Sequence, residues 1–214
     1  MPAKRPPLRV LEGRFIRLVP LTRDDLPEMF ATLATPEVFA GGWGGGPAGL
    51  QTTEGEFVEW GRTHFRWDDN VYGARIQGGP DADTLIGTST MADFDEVNEH
   101  THIGWTAWDP RTWGTAVNPE AKLLMLTEAF DHGFGRVRLQ ADDRNDRSRA
   151  AIAKLGATFE GIVRRDKRRA DGSWRDTALF SIIIDEWPSV REGLERRLSA
   201  LEAPLVLGSA TPAR

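Results

Sequence analysis

Three strand-like stretches, 70–77, 84–94 and 100–108, follow one another with only turn residues between them (Gly78, Gly79 and Pro80, then 95–98), and lead directly into a long helix-like segment. Consecutive strands joined by short turns pair antiparallel. The helix, from about Asn118 to His132, turns Leu123, Leu124, Leu126 and Phe130 to one face, with Asn118 as its expected cap and Pro119 at its first position. A sheet with an apolar-faced helix laid across it is therefore the minimum this chain must build.

The flanking segments extend that core. Arg14 to Leu18 alternates charged and apolar residues, and Thr22 then opens a helix with Leu26, Met29, Phe30 and Leu33 on one side. Six glycines crowd into 40–49 around Trp43, after which Thr52 or Thr53 caps a helix carrying Phe57, Trp60, His64 and Phe65. Beyond the long helix come a strand (136–141), a helix (145–155) stopped by Gly156, two strands turning at Asp171-Gly172, and a short final helix. The reading is an α/β chain with about seven strands. Residues 10–202 form one domain, with 1–9 and 203–214 expected as flexible ends because they are rich in proline and small residues.

Composition narrows the function classes. With 40% apolar and 28% charged residues the chain can bury a core, and no apolar run reaches the ~18 to 20 residues of a membrane helix. There is no cysteine, which removes thiolate metal sites and a cysteine nucleophile. A net charge of −5 argues against a general nucleic-acid surface, so any anionic ligand must be met locally. The opening residues have no apolar secretory core, and the expected location is cytoplasmic.

The place to meet an anion is Arg111-Thr112-Trp113-Gly114-Thr115-Ala116, between a strand and the long helix, where backbone amides and the positive end of the helix dipole can hold phosphate. With Ile103-Gly104-Trp105 before it and Asn118-Pro119-Glu120-Ala121-Lys122 after it, this segment resembles the acetyl-CoA loop of the GNAT acyltransferases. Their pattern of Arg or Gln, two residues, Gly, one residue, Gly or Ala is met by Arg111, Gly114 and Ala116. The likeness continues through Asn145-Asp146-Arg147-Ser148, Lys154-Leu155-Gly156-Ala157, Glu160-Gly161 and 171–176, and is nearest the RimJ/RimL type, which acetylates protein N-terminal amines or small amines.

The resemblance implies a mixed, mostly antiparallel sheet flanked by helices, an acetyl-CoA cosubstrate and a primary amine acceptor. It implies amides from Trp113 through Gly114, Thr115, Ala116 and Val117 to Asn118 for the diphosphate, with Arg111 heading the loop and Lys122 one turn along the helix. Strand groups of Thr106, Ala107 and Trp108 would meet the pantetheine. Asn145 would contact the coenzyme, and Ser148 would lie near its sulfur as the acid that protonates the thiolate. Pro119 has no N–H, so the cradle must end before it. Trp43, Trp105 and Trp174 are the expected acceptor-side residues.

The general base stays open. Where relatives carry a glutamate, Gln140 and Lys167 stand here, leaving Asp142, Asp143, Asp166, Glu99, His100, His102 or a water chain. His100 and His102 have metal-like spacing but no further ligands nearby, and no metal is expected. Seven acidic residues and no Lys or Arg lie within 76–110, a region able to attract a cationic amine or simply to be solvated, while 164–169 is basic. The glycine-rich 40–49 lacks the lysine of a nucleotide loop. The rival to an N-acetyltransferase is a GNAT-fold module that binds acyl-CoA without turnover. Dimerisation is left open.

Overall fold

The computed structural model describes residues 2–207. Its frame is an eight-stranded sheet in spatial order β1-β2-β3-β4-β5-β6-β8-β7. In chain order the elements are β1 (Leu11–Glu12), β2 (Ile16–Pro20), α1 (Leu26–Leu33), α2 (Pro36–Ala40), α3 (Glu54–His64), β3 (Asn70–Ile76), β4 (Leu85–Asp95), β5 (His100–Trp108), α4 (Val117–Asp131), β6 (Arg136–Asp142), α5 (Asp146–Ala153), β7 (Thr158–Arg168), β8 (Trp174–Ile183) and α6 (Trp187–Ser199). The expected seven strands become eight because the two-residue β1 pairs with β2, and that piece is too short to leave a period in the sequence.

Strand alternation builds two cores. Val71, Leu85 and Ala107 point into a cluster with Leu26, Met29, Phe39 and Phe57, whereas their neighbours Tyr72, Ile86 and Trp108 point into a larger one with Val117, Ala121, Met125 and Leu194. One face of the sheet thus takes α1 to α3 and the other takes α4 and α6. The Thr53 cap of α3 is a capping box: its side chain accepts from the Glu56 amide, and Glu56 returns the bond to the Thr53 amide. The buried Glu120 carboxylate clamps α4 to the start of β2 by accepting from the amides of Arg14, Phe15 and Ile16, each at 2.8 Å.

The amino-terminal residues correct the expectation of a loose end. Ala3 is buried, the Lys4 amide donates to the His132 carbonyl at 2.9 Å, and Asn70 receives Arg5 and donates to the Pro6 carbonyl. At the other end Leu205 and Leu207 pack on the larger core, and the Leu207 amide donates to Asp81. The remainder of the expected 203–214 tail lies outside the described residues.

One pairing decides where a ligand can go. β5 and β6 run parallel for only three pairs, His100 with Arg136, Thr101 with Val137 and His102 with Arg138. Beyond them β5 continues to Trp108 beside β4, and β6 continues to Asp142 beside β8. The sheet is split there into a wedge, and the β5 edge facing β6 has no strand partner beyond His102.

Candidate active site

Two cavities meet in the wedge, of about 240 Å³ and about 450 Å³. They share Trp43, Gly104, Trp105, Thr106, Gln140, Asn145 and Ser148. The first is rimmed by the loop before α4 and by α5, the second by the glycine-rich segment and by 167–175.

The common wall is shaped by a bulge in β5. Thr88 pairs with Ala107 and Thr90 with Gly104, so Trp105 and Thr106 together face Ser89. Trp105 takes φ +50 to make the turn, and its carbonyl accepts from the Trp43 indole at 3.3 Å. Beneath the bulge Lys122 donates to the Ser89 hydroxyl at 2.8 Å and the Thr106 hydroxyl at 2.7 Å. This revises the reading of Lys122 as a helix residue reaching for phosphate: it is 3% exposed, its ammonium is engaged inside the fold, and burial pushes its pKa down to about 7.

At the head of α4 the cap lies two residues earlier than expected, at Ala116 with Val117 as the first helical residue. Ala116 already has helical backbone angles, and the Asn118 side chain accepts from the Trp108 indole at 3.0 Å instead of capping the helix. No side chain caps α4. The amides of Trp113, Thr115 and Val117 are taken by the Pro110 carbonyl, the Thr112 carbonyl and the Thr115 hydroxyl. Those of Gly114, Ala116 and Asn118 donate to no acceptor among the described residues. The expected cradle therefore reduces to alternate amides, a set of free donors at the positive end of a 15-residue helix that suits a diphosphate.

Other expected cosubstrate residues are placed differently. Arg111 lines neither cavity, because its guanidinium is bound to Asp109 (2.6 to 3.1 Å), whose carboxylate also accepts the Arg111 amide. Ala116 and Val117 are core residues. Besides Lys122, whose ammonium is held by Ser89 and Thr106, the cation that lines the first cavity is Arg147, its guanidinium carbon 3.4 Å from the centroid of the Trp113 ring. Sequence reasoning had it inside the Asn–Ser segment but gave it no role, since only the fold brings α5 against the loop. Asn145 is the α5 cap: its Oδ1 accepts from the Ser148 amide at 3.0 Å, and its Nδ2 donates to the Gly41 carbonyl, tying α5 to the glycine-rich segment. The Ser148 hydroxyl faces both cavities and donates to nothing among the described residues.

On the acceptor side, Trp43 packs edge-on to Trp60 and His64, and it lines both cavities with Trp105. Trp174 lines neither. It lies under the guanidiniums of Arg165 and Arg168, at 4.5 and 4.0 Å from its ring centroid. His64, stacked on Trp60, faces the second cavity with Nε2 unpartnered, and burial pushes its pKa down to about 4, so the ring is neutral. Among the open base candidates, Asp142 is held by Arg169 at 2.8 Å, Asp143 by Arg149 at 3.0 Å, and Asp166 by the Thr177 hydroxyl. None of the seven acidic residues of 76–110 lines either cavity, and several are already paired: Asp83 with Arg17, Asp93 with Arg138, Asp109 with Arg111.

A family model for the acetyltransferase (GNAT) domain matches residues 16–158. The chain belongs to the GNAT acetyltransferase family. This N-acetyltransferase is similar to a GCN5-related N-acetyltransferase from Brucella melitensis, 26% identical over 92% of this chain and 88% of that one, with a TM-score of 0.81. Mycobacterium smegmatis RimJ in complex with CoA-disulfide shares the fold at 21% identity (TM-score 0.66, 91% and 97% covered). So does the ribosomal-protein-S5-alanine acetyltransferase from Vibrio fischeri, at 17% identity (TM-score 0.59, 83% and 98% covered). No curated protein sequence matches the chain. Among the described residues no helix is long and apolar enough to cross a membrane.

Gly114 offers a test of the cradle. It sits at φ +80, and a Cβ built there meets no atom within 4 Å, so a larger side chain would fill only the space in front of the free amides. Gly114→Val should fold, at a cost of roughly 1 to 3 kcal/mol for the left-handed backbone, and should weaken acetyl-CoA binding at least about tenfold, the equivalent of about 1.4 kcal/mol. Calorimetric titration giving an unchanged affinity would move the diphosphate site elsewhere.

Proposed function

We propose that this N-acetyltransferase uses acetyl-CoA to acetylate a primary amine by direct attack on the thioester, in the wedge between β5 and β6. The observation that carries the reading is the convergence of three features on one cavity: an unpartnered strand edge, unsatisfied amides at an uncapped helix N-terminus, and the free hydroxyl of Ser148. Acetyl-CoA supplies the activated acetyl group. The amides of Gly114, Ala116 and Asn118, with Arg147 beside them, hold the diphosphate, and the β5 edge from Gly104 to Trp108 bonds the pantetheine amides as an added strand would.

The bulge then sets the geometry of the reaction. A backbone amide of β5 steadies the oxygen that gains negative charge, and Lys122 fixes that stretch from below through Thr106. The C–N bond forms as the C–S bond breaks, the amine's proton passes to water, and Ser148 passes a proton to the leaving thiolate while taking one back from that water, so the hydroxyl is restored at the end of the step. A free carboxylate base is not required, because the neutral fraction of the amine can react: a peptide α-amine with pKa of about 7.7 to 8.0 is about half neutral at pH 8, and a more basic amine reacts through a smaller neutral fraction that rises with pH.

The reading is tested first by melting. Acetyl-CoA at about 100 times its Kd should add about 2.7 kcal/mol of stability, raising Tm by roughly 5 to 10 °C in a chain of this size. A flat melting curve at saturating acetyl-CoA would sink it. Because Asp142, the one carboxylate lining either cavity among the described residues, is bound to Arg169, the binding module without turnover remains the second reading. Steady thiol release with an amine, above the hydrolysis blank, excludes it.

A further inference from the structure

The second cavity gathers the end of the basic run 164–169 and Arg175 around one space. Lys167 on β7 and Arg175 on β8 are cross-strand partners, and both line it, together with Arg168 and Arg169. Arg169 is neutralised by Asp142, which accepts from its Nε and Nη2 at 2.8 to 3.0 Å. Arg168 stacks on Trp174 and donates to the Gly172 carbonyl, bonds that leave its charge uncompensated. Lys167 and Arg175 form no ion pair among the described residues, and the Arg175 Nε is shut off from solvent with no acceptor. The terminal nitrogens of Arg175 and the Lys167 ammonium also have no acceptor among the described residues, and beside a cavity of about 450 Å³ these are the donors that a ligand oxygen can meet.

The direction of the cavity fixes what that ligand is. At one end lie Gly104, Thr106 and Ser148, shared with the first cavity, where the reacting amine has to arrive. The uncompensated cations belong to the part of the lining that the first cavity does not share, and Trp43 and Trp105 add apolar wall at the shared end. A simple alkylamine or polyamine entering here would face like charge. A guanidinium matched with an ammonium is suited to a planar carboxylate. Building on the acetyltransferase reading above, we propose that the acceptor is an amino acid: a small primary amine whose own carboxylate is held by Arg175 and Lys167 while its amine is presented at the bulge. The product is the N-acetyl amino acid, with the amine's proton released to water and the thiolate protonated as coenzyme leaves.

The test sets the common amino acids against their amides and against the amines that remain when the carboxylate is removed, with acetyl-CoA and thiol release as readout. At least one amino acid should be acetylated, with kcat/KM at least about tenfold above that of its amide. That gap should shrink severalfold in Lys167→Met and in Arg175→Met, through KM for the acid, while acetyl-CoA still raises Tm in both variants. Lys167→Glu should reverse the preference toward the amide. Amides or decarboxylated amines used as well as the acids, or no turnover with any amino acid, would overturn the proposal even if acetyl-CoA binds. A protein that fails to bind acetyl-CoA at all would instead fail the acetyltransferase reading, and the melting control separates that outcome.

Discussion

Ser148→Ala is expected to lower kcat by roughly 10- to 1000-fold, the range for one positioned proton donor or hydrogen-bond donor to a developing charge. Acetyl-CoA affinity should barely move. A serine at the start of a helix is ordinarily a cap, and a lost cap costs about 0.5 to 2 kcal/mol. Here that role is filled by Asn145, whose Oδ1 accepts the Ser148 amide, a bond alanine keeps. The Ser148 hydroxyl therefore has no structural duty to lose, and Tm should stay near that of the parent. Measuring kcat and Tm on the same variant is decisive: normal turnover would remove Ser148 from the chemistry and leave water as the donor to the thiolate.

The second large effect concerns the buried lysine under the bulge. Lys122 has a folded pKa of about 7 against 10.5, because burial disfavours its ammonium. Between those values the unfolded chain binds more protons than the folded one, so stability rises with pH across that window. The penalty is complete at and below pH 7 and is relieved toward pH 10.5; a shift of that size corresponds to about 4 to 5 kcal/mol at 1.36 kcal/mol per pH unit. Lys122→Met keeps the volume, and Ser89 and Thr106 keep their mutual hydrogen bond at 2.8 Å. The variant should therefore be more stable than the parent near pH 7, by an amount that shrinks toward pH 10. Denaturant midpoints taken for both proteins across that range provide the check. A difference that does not change with pH would place the ammonium in contact with water. A more stable but slower variant would mean that the charge is kept for the positioning of Thr106.

The parts of the fold that depend on local signals were legible in the sequence. Thr53 with Glu56 three residues on announces α3, and the apolar face from Leu123 to Phe130 announces α4. The start of α4 was misplaced because Asn118, a good cap by type, is drawn away by the Trp108 indole, a contact made only when β5 and α4 are packed. Lys122 was expected to reach phosphate from the helix, because lysine is rarely buried; only the hydroxyls of Ser89 and Thr106, distant in sequence, make its burial tolerable. The acceptor side was the least legible. Residues 76–110 advertise negative charge, but arginines from elsewhere in the chain pair several of those groups. The cavity is instead walled by strand ends at 167–175, whose basic run reads in sequence as a charged strand end.

The three-pair seam between β5 and β6 has a kinetic consequence. The cavities meet along the bulge, Ser148, Asn145, Gln140 and Trp43 and are otherwise rimmed by different segments of chain, so on the proposed assignment the two substrates enter by separate doors and react across a shared partition. Neither has to wait for the other to vacate its path. The acetylated product can depart while coenzyme is still seated, and excess acceptor has no route by which to block the coenzyme's own entry. Evolution of a new acceptor preference then asks for changes only along the far rim, on the β7 and β8 ends and the glycine-rich segment, while the machinery that holds and discharges the thioester stays as it is.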